Sequence, residues 1–170
     1  MSPTEMVRAV VAFGTNLGDR DATITSALRA VADAPQVELI GISPIYQTPA
    51  LTLEGIDADA PPYLNGVVTV RTTLSADALL DLLHRVETDH GRQRSTRWAS
   101  RTLDLDLIDF DGQQRTDVRL SLPHPRAWQR AFVLQPWLDL EPGATLVGYG
   151  SVATLRAAAT DSVVRVGAVV

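Results

Sequence analysis

The stretch Arg97-Trp98-Ala99-Ser100-Arg101-Thr102-Leu103-Asp104-Leu105-Asp106-Leu107-Ile108-Asp109-Phe110 restricts the possible folds more than any other part of the chain. Its second half alternates apolar and acidic residues with period two, the period of a strand and not of a helix. Leu103, Leu105 and Leu107 then share one face, and Asp104 and Asp106 share the other, with Ile108 and Phe110 further along it. The leucine face demands a core. Two carboxylates one step apart on the same face repel each other unless something positive sits between them. A divalent cation, or a pair, is the natural partner, because magnesium takes hard oxygen ligands and a metal pair can be bridged by a short carboxylate array. The alternative is a half-exposed strand whose acidic face looks at solvent. The surroundings favour the first reading: Arg97, Trp98 and Arg101 lie just upstream and Pro123-His124-Pro125 downstream.

Arg92, Arg94, Arg97 and Arg101 fall within one short polar segment, and all 15 basic residues counted as Lys and Arg are arginines. Without lysine, Schiff-base chemistry and a Walker-type phosphate lysine are excluded. Any phosphate bound here must be held by arginine forks and metal ions. The chain also has no cysteine, which removes thiolate metal sites, disulfides and cysteine nucleophiles. A net charge of −5 argues against binding nucleic acid through overall charge. No apolar run reaches the length of a membrane span, and the N-terminus lacks a signal-peptide pattern. The expectation is one soluble, cytoplasmic domain over residues 1–170, with no linker or repeat dividing it.

Taken in order, Val7 to Phe13 reads as a buried strand ending at Gly14. A turn-rich segment then leads to a helix capped by Asp19 or Asp21, with Ile24, Leu28 and Val31 inward and Pro35 as its stop. Gly14 and Gly18 match neither the dinucleotide fingerprint nor the P-loop, so they mark a strand-to-helix turn. Val37 to Tyr46 reads as a second strand, and Pro49 to Pro62 as an acidic loop without periodicity. Tyr63 to Val70 is a third strand with Tyr63, Asn65 and Val67 on one face. Ser75 caps a helix with Leu79, Leu83 and Val86 as its apolar stripe, ending near Gly91. After the acidic strand, Asp111-Gly112 signals a hairpin that returns an edge strand from Gln114 to Val118. A short helix carrying Leu134 and Leu138, another capped by Ser151, and a strand from Val163 to Val170 complete the chain. The order strand, helix, strand, strand, helix, strand predicts an α+β fold: a ferredoxin-like βαββαβ core, its antiparallel sheet covered by helices on one face, plus a C-terminal extension.

Arg97-Trp98-x-x-Arg101-Thr102-Leu103-Asp104-Leu105-Asp106 closely resembles the signature of the 6-hydroxymethyl-7,8-dihydropterin pyrophosphokinases of folate biosynthesis. The resemblance runs from Phe13-Gly14-Thr15-Asn16-Leu17-Gly18 through Thr48-Pro49, Tyr63-Leu64-Asn65, Glu87, Gly91-Arg92 and Pro123-His124-Pro125-Arg126 to Arg130-x-Phe132. It implies the ferredoxin-like fold again, and transfer of the β,γ-pyrophosphoryl group of ATP to the hydroxymethyl oxygen of a dihydropterin, releasing AMP. By this resemblance Asp104 and Asp106 hold two Mg2+ ions, and Arg92 and Arg101 act in catalysis with them. Arg92, Arg101, His124 and Arg130 meet phosphate oxygens, while Glu87, Arg94, Leu107 and Ser121 lie near the adenosine. The pterin is sandwiched between Tyr63 and Phe132, with Thr48, Leu51 and Asn65 reading its edge and Trp98 close by. The partners implied are ATP and hydroxymethyl-dihydropterin, with no nucleic acid and no membrane, and the protein is expected to be a monomer.

The chain departs from the family pattern at the long Pro49–Pro62 loop, at Ala99-Ser100 where Gly-Pro is common, and at His84 and Pro125 near the nucleotide. Two other readings compete. A different Asp-x-Asp metal-dependent transferase or nuclease would need more carboxylates in register or a donor-sugar domain, and the chain offers neither. A non-catalytic ferredoxin-like nucleotide-binding domain would leave the acidic pair at the surface.

Overall fold

In the computed structural model, which describes residues 5–16, 18–52, 55–57, 61–91 and 103–169 (50–52 and 55–57 as backbone only), the run Val7–Thr15 forms the interior strand β1. Seven of its nine residues are buried, as a strand covered on both faces requires. Helix α1 (Arg20–Ala32) follows, then β2 (Val37–Ile42), β3 (Pro44–Thr48), the short β4 (Ala50–Thr52) and β5 (Gly55–Asp57), β6 (Tyr63–Thr72), α2 (Ala76–Asp89) and β7 (Asp104–Phe110). The rest of the chain forms β8 (Arg115–Thr116), β9 (Ser121–Leu122), a 3-10 turn (Ala127–Gln129), α3 (Ala131–Leu140), β10 (Thr145–Leu146), β11 (Gly150–Ser151), α4 (Val152–Ala158) and β12 (Val164–Ala168). Among the described residues, no helix is long and apolar enough to cross a membrane.

Local chemistry sets the helix ends. Asp19 caps α1 by accepting the Ala22 N–H at 3.1 Å, and Ser75 caps α2 by accepting that of Ala78 at 3.1 Å. Beyond α2 the chain turns at Gly91, whose φ of +85° suits a residue without a Cβ.

The sheet runs in the order β12-β3-β6-β1-β7, with β2 pairing along the other end of β6, and every pair is antiparallel. Counting β2 and β3 as one bent strand, this is the strand order of the ferredoxin-like fold. The expected single strand Val37–Tyr46 is divided at Ser43 and continues to Thr48. At the division, Ser43 donates its N–H to the Val67 carbonyl at 2.9 Å, and its Oγ accepts the Val67 N–H at 2.8 Å. A side chain thus stands in for a ladder carbonyl where the strand bends.

Both faces of the sheet are covered. Helices α1 and α2 seal one face over a large aliphatic cluster that includes Phe13, Leu28, Leu79, Leu83 and Leu105. The C-terminal extension covers the other, where Val10, Ala12, Val67 and Ile108 pack with Leu134 and Trp137 of α3. The core's own two helices do share one face, as expected; the extension supplies a third layer.

Three expectations are corrected. Phe110 belongs to the leucine face of β7, not to the aspartate face. Val11 pairs with Leu107 and Val10 with Asp109, so Ile108 is one residue too many and the bulge flips the parity of everything after it. The stretch Pro49–Pro62 contains the β4–β5 hairpin, whose three-residue strands are too short for a period-two count to register. The segment after the Asp111-Gly112 turn does not pair back onto β7; β8 pairs with β9 instead. Arg115 is drawn aside by a two-pronged bond to Asp77 of α2, at 2.8 and 3.0 Å, while the His124 N–H takes the Ile108 carbonyl at 2.9 Å.

Candidate active site

Residues opposite one another in antiparallel strands project to the same face, so the pairing itself assembles the site. Tyr46 pairs with Asn65, Asn65 with Gly14, and Gly14 with Asp104. One row further in, Val67, Ala12 and Asp106 stand side by side. Both aspartates therefore lie on the face covered by α3, at its outer end, and both are half-buried. Gly14 and Ala12 keep the floor between them and Asn65 low. A Cβ on Gly14 would come 3.0 Å from the Asn65 Oδ1, tight enough that the amide would have to shift, so glycine lets it lie close as it is.

Asn65 is buried and held. Its Nδ2 donates to the Thr48 Oγ1 at 2.9 Å and to the Tyr46 carbonyl at 3.4 Å. With both donor hydrogens committed to the protein, the Oδ1 over Gly14 is an acceptor for a flat ligand edge that carries N–H groups. Thr48 is thereby a support for Asn65. Tyr46 donates its hydroxyl in a short bond to Asp139 of α3, and burial with that carboxylate raises its pKa to about 12. This bond fastens α3 across the sheet.

The N-terminus of α3 brings the cationic side. Arg130 directly precedes the helix, and its guanidinium lies 5.4 Å from the centre of the Phe132 ring. Burial lowers the Arg130 pKa first, opposed by the carboxylates of Asp106, Asp104 and Asp161 and reinforced by Arg126. Arginine keeps its proton regardless. His124, half-buried beside Arg130 and Arg126, is pushed down to about 4, with burial the larger cause. At neutral pH it is an uncharged imidazole with a hydrogen-bonding nitrogen, and its Nδ1 accepts the Arg126 N–H at 3.2 Å.

The structure thus gathers Asp104, Asp106, His124 and Arg130 at one end of this face, with Asn65 and Thr48 in the neighbouring rows and Phe132 at the helix start. Tyr63 is half-buried on β6, two residues from Asn65 and of the same parity. Ser121 is half-buried on β9, three residues ahead of His124 in the same segment. Glu87 and Leu107 are placed differently from an exposed nucleotide contact. The Glu87 side chain has no exposed surface and accepts the Leu105 N–H at 3.0 Å, tying α2 to β7. The Leu107 side chain points into the aliphatic core, away from the aspartates. Arg92, Arg94, Trp98, Arg101 and the Leu51 side chain lie outside the described residues.

Three residues of this region escaped sequence reasoning as individual contributors. Arg126 sits within a motif but had no assigned role. Asn16, 2% exposed, carries an Oδ1 with no hydrogen-bond partner among the described residues. Asp161 reaches the start of α3 from far along the chain, and no local pattern signals it.

For a magnesium ion the donor set fits. Asp104 and Asp106 offer hard oxygens on one face, and magnesium commonly takes one or two carboxylates and completes its shell with water and substrate phosphates. No group of three or more His, Asp or Glu side chains among the described residues forms a fuller cage.

Paired carboxylates facing arginine on a ferredoxin-like sheet define the class: enzymes that move phosphoryl groups. Solved structures share the fold. A crystal structure of a Plasmodium falciparum HPPK-DHPS triple mutant superposes with a TM-score of 0.70 over 92% of this chain and 45% of that one, at 14% identity. The wild-type Plasmodium falciparum HPPK-DHPS gives 0.69 over 93% and 45%, also at 14% identity; this chain therefore spans a little under half of those proteins. Among named proteins, the 2-amino-4-hydroxy-6-hydroxymethyldihydropteridine pyrophosphokinase of Pseudomonas aeruginosa is 41% identical over 140 residues, covering 82% of this chain and 83% of that one. Those of Methylorubrum extorquens and Bacillus subtilis are each 34% identical, covering 84% and 78% of this chain and 88% and 77% of theirs. Residues 10–142 match the model of the 7,8-dihydro-6-hydroxymethylpterin-pyrophosphokinase (HPPK) family, and the chain belongs to that family.

Proposed function

We propose that this chain is an ATP-dependent pyrophosphokinase of folate biosynthesis that acts on 6-hydroxymethyl-7,8-dihydropterin, with two magnesium ions held by Asp104 and Asp106. The hydroxymethyl oxygen attacks the β-phosphorus of ATP, the bond from that phosphorus to the bridging oxygen of the α-phosphate breaks, and AMP leaves with that oxygen. The hydroxyl proton passes to solvent. Magnesium, when bound, supplies charge neutralisation on the triphosphate and alignment of attacking and leaving oxygens. The protein's own share is positioning. Arg130 and neutral His124 meet phosphate oxygens, one as a cationic fork and the other as a neutral hydrogen-bonding partner. Asn65 reads the pterin edge through its Oδ1, and Tyr63 and Phe132 take the two ring faces. Arg92 and Arg101 complete the phosphate contacts, Arg94 and Ser121 border the adenosine region, and Leu51 and Trp98 border the pterin, while Glu87 and Leu107, enclosed on the other face, support β7 from behind. The enzyme works as a cytoplasmic monomer.

The observation that carries this reading is the pairing of strands that sets Asp104 beside Gly14 and Asn65, and Asp106 beside Ala12 and Val67 in the next row, with Arg130 close to both carboxylates. Product analysis tests it. AMP should form in step with a pterin diphosphate, and stoichiometric ADP or ATP binding without turnover would overturn the assignment, the latter in favour of a non-catalytic binding domain.

A further inference from the structure

Helix α3 starts at a residue that cannot cap it. Arg130 occupies the N-cap position and makes no side-chain capping bond, because guanidinium has no acceptor. The cap comes from elsewhere: both carboxylate oxygens of Asp161 accept the Ala131 N–H, each at 2.9 Å. That N–H lies between the two residues of α3's start with assigned ligands, Arg130 and Phe132. Asp161 follows α4 and precedes β12, so the cap is delivered by the part of the chain that closes the third layer.

We infer that Asp161 is a positioning residue for the pyrophosphoryl transfer, fixing the start of α3 so that Arg130 meets the nucleotide and Phe132 the pterin. The inference rests on the roles proposed above for those two residues. Two effects combine in one side chain. The oxygens fix the backbone that carries both residues, and a carboxylate at a helix N-terminus is favoured by the helix dipole. Its negative charge also acts on the Arg130 guanidinium, in the same sense as those of Asp106 and Asp104. Asp161 therefore biases the guanidinium without touching substrate.

The effects separate by substitution, because asparagine caps helices about as well as aspartate but carries no charge. Asp161→Ala should raise the Michaelis constants for both ATP and the hydroxymethylpterin, each by roughly tenfold, with a smaller change in kcat. Asp161→Asn should restore the pterin constant and the unfolding midpoint while leaving the ATP constant raised about threefold. Arg130→Ala and Phe132→Ala are measured alongside. If those two raise their respective constants and Asp161→Ala raises neither, or lowers only the unfolding midpoint, the positioning role is overturned while the site assignments stand. If Asp161→Asn matches the wild type for ATP, the charge part is overturned. If Arg130→Ala and Phe132→Ala also leave both constants unchanged, the site assignments fall and the positioning role with them.

Discussion

The two faces of the sheet are built from the same strands and used for opposite purposes. On the face under α1 and α2, Leu79, Leu83 and Leu103 are fully enclosed, and the one buried carboxylate among the described residues, Glu87, is enclosed there and bonded to backbone. On the face under α3, the apolar cluster is smaller and gives way at its outer end to Asn65, Asp104, Asp106, His124 and Arg130. A sealed aliphatic layer lowers the free energy of the fold. An incompletely covered layer leaves like charges close together and a histidine that refuses its proton in acid, which costs stability there and makes a binding site. The comparison teaches that the second layer of helices is a lid frame: it covers the sheet far enough to place α3 and stops before burying the carboxylates.

Substitutions on the two faces should therefore fail in different ways. Asp104→Ala and Asp106→Ala should each lower kcat by about a thousandfold or more, the loss of several kcal/mol of charge stabilisation at the phosphates. The unfolding midpoint should change little, since the repulsion between two like charges on a strand is relieved while one attraction to Arg130 is lost. Near-normal turnover with magnesium in either variant would remove the contrast between the faces. On the sealed face, Leu83→Ala should cost about 2–5 kcal/mol of stability through a buried cavity. Turnover per folded molecule should stay near wild type, as chemical denaturation combined with active-site titration can determine.

A smaller effect sharpens the division within the α3 face. Phe132→Ala should weaken pterin binding by about 1–3 kcal/mol, the worth of one stacked aromatic face, and ATP binding far less. Equal losses in calorimetry for both ligands would place Phe132 in the core and not at the pterin. The smallest effect concerns pH. The His124 pKa lies at about 4 in the fold against an ordinary 6.5, so between these values the unfolded chain binds a proton that the folded chain refuses. Its contribution makes stability fall as pH drops from about 6.5 towards 4 and leaves it flat above that window. His124→Gln should flatten this part of the curve of unfolding free energy against pH; an unchanged slope would mean that His124 is not the group refusing the proton.

Much of this was readable from the chain, and the unreadable parts share a cause. Period-two alternation placed Asp104 and Asp106 on one face and Leu103, Leu105 and Leu107 on the other, because register is enforced wherever one face must be buried. Caps at Asp19, Ser75 and Ser151 were equally local, each a side chain bonding an N–H three residues on. Phe110 was misplaced because a bulge depends on the partner strand, and β1 lies far away in sequence. The return strand was misplaced because the pull of Asp77 on Arg115 crosses from α2 to a distant turn. The Asp161 cap and the Tyr46–Asp139 bond were invisible for the same reason. Residues that act at their own position can be read from sequence; those that act on a distant segment cannot. Motif resemblance bridged part of that gap for His124, Arg130 and Phe132, without supplying the geometry.

The strand order has a kinetic consequence. β1 is made first, yet it pairs with β6 and β7 and with no strand adjacent in sequence, so its partners must be found by closing long loops. Loop closure of that kind slows folding and is not rewarded until the distant strand arrives. The aspartates are on β7, the outermost of those partners, and the cap on α3 comes from residue 161. During synthesis, then, the carboxylates emerge after Gly14 and Asn65, and the Asp161 that caps the helix start beside Arg130 emerges later still. A chain made only as far as α2 already carries most of the aliphatic layer under α1 and α2 in its sequence, but none of the carboxylates, histidine or arginine of the candidate site.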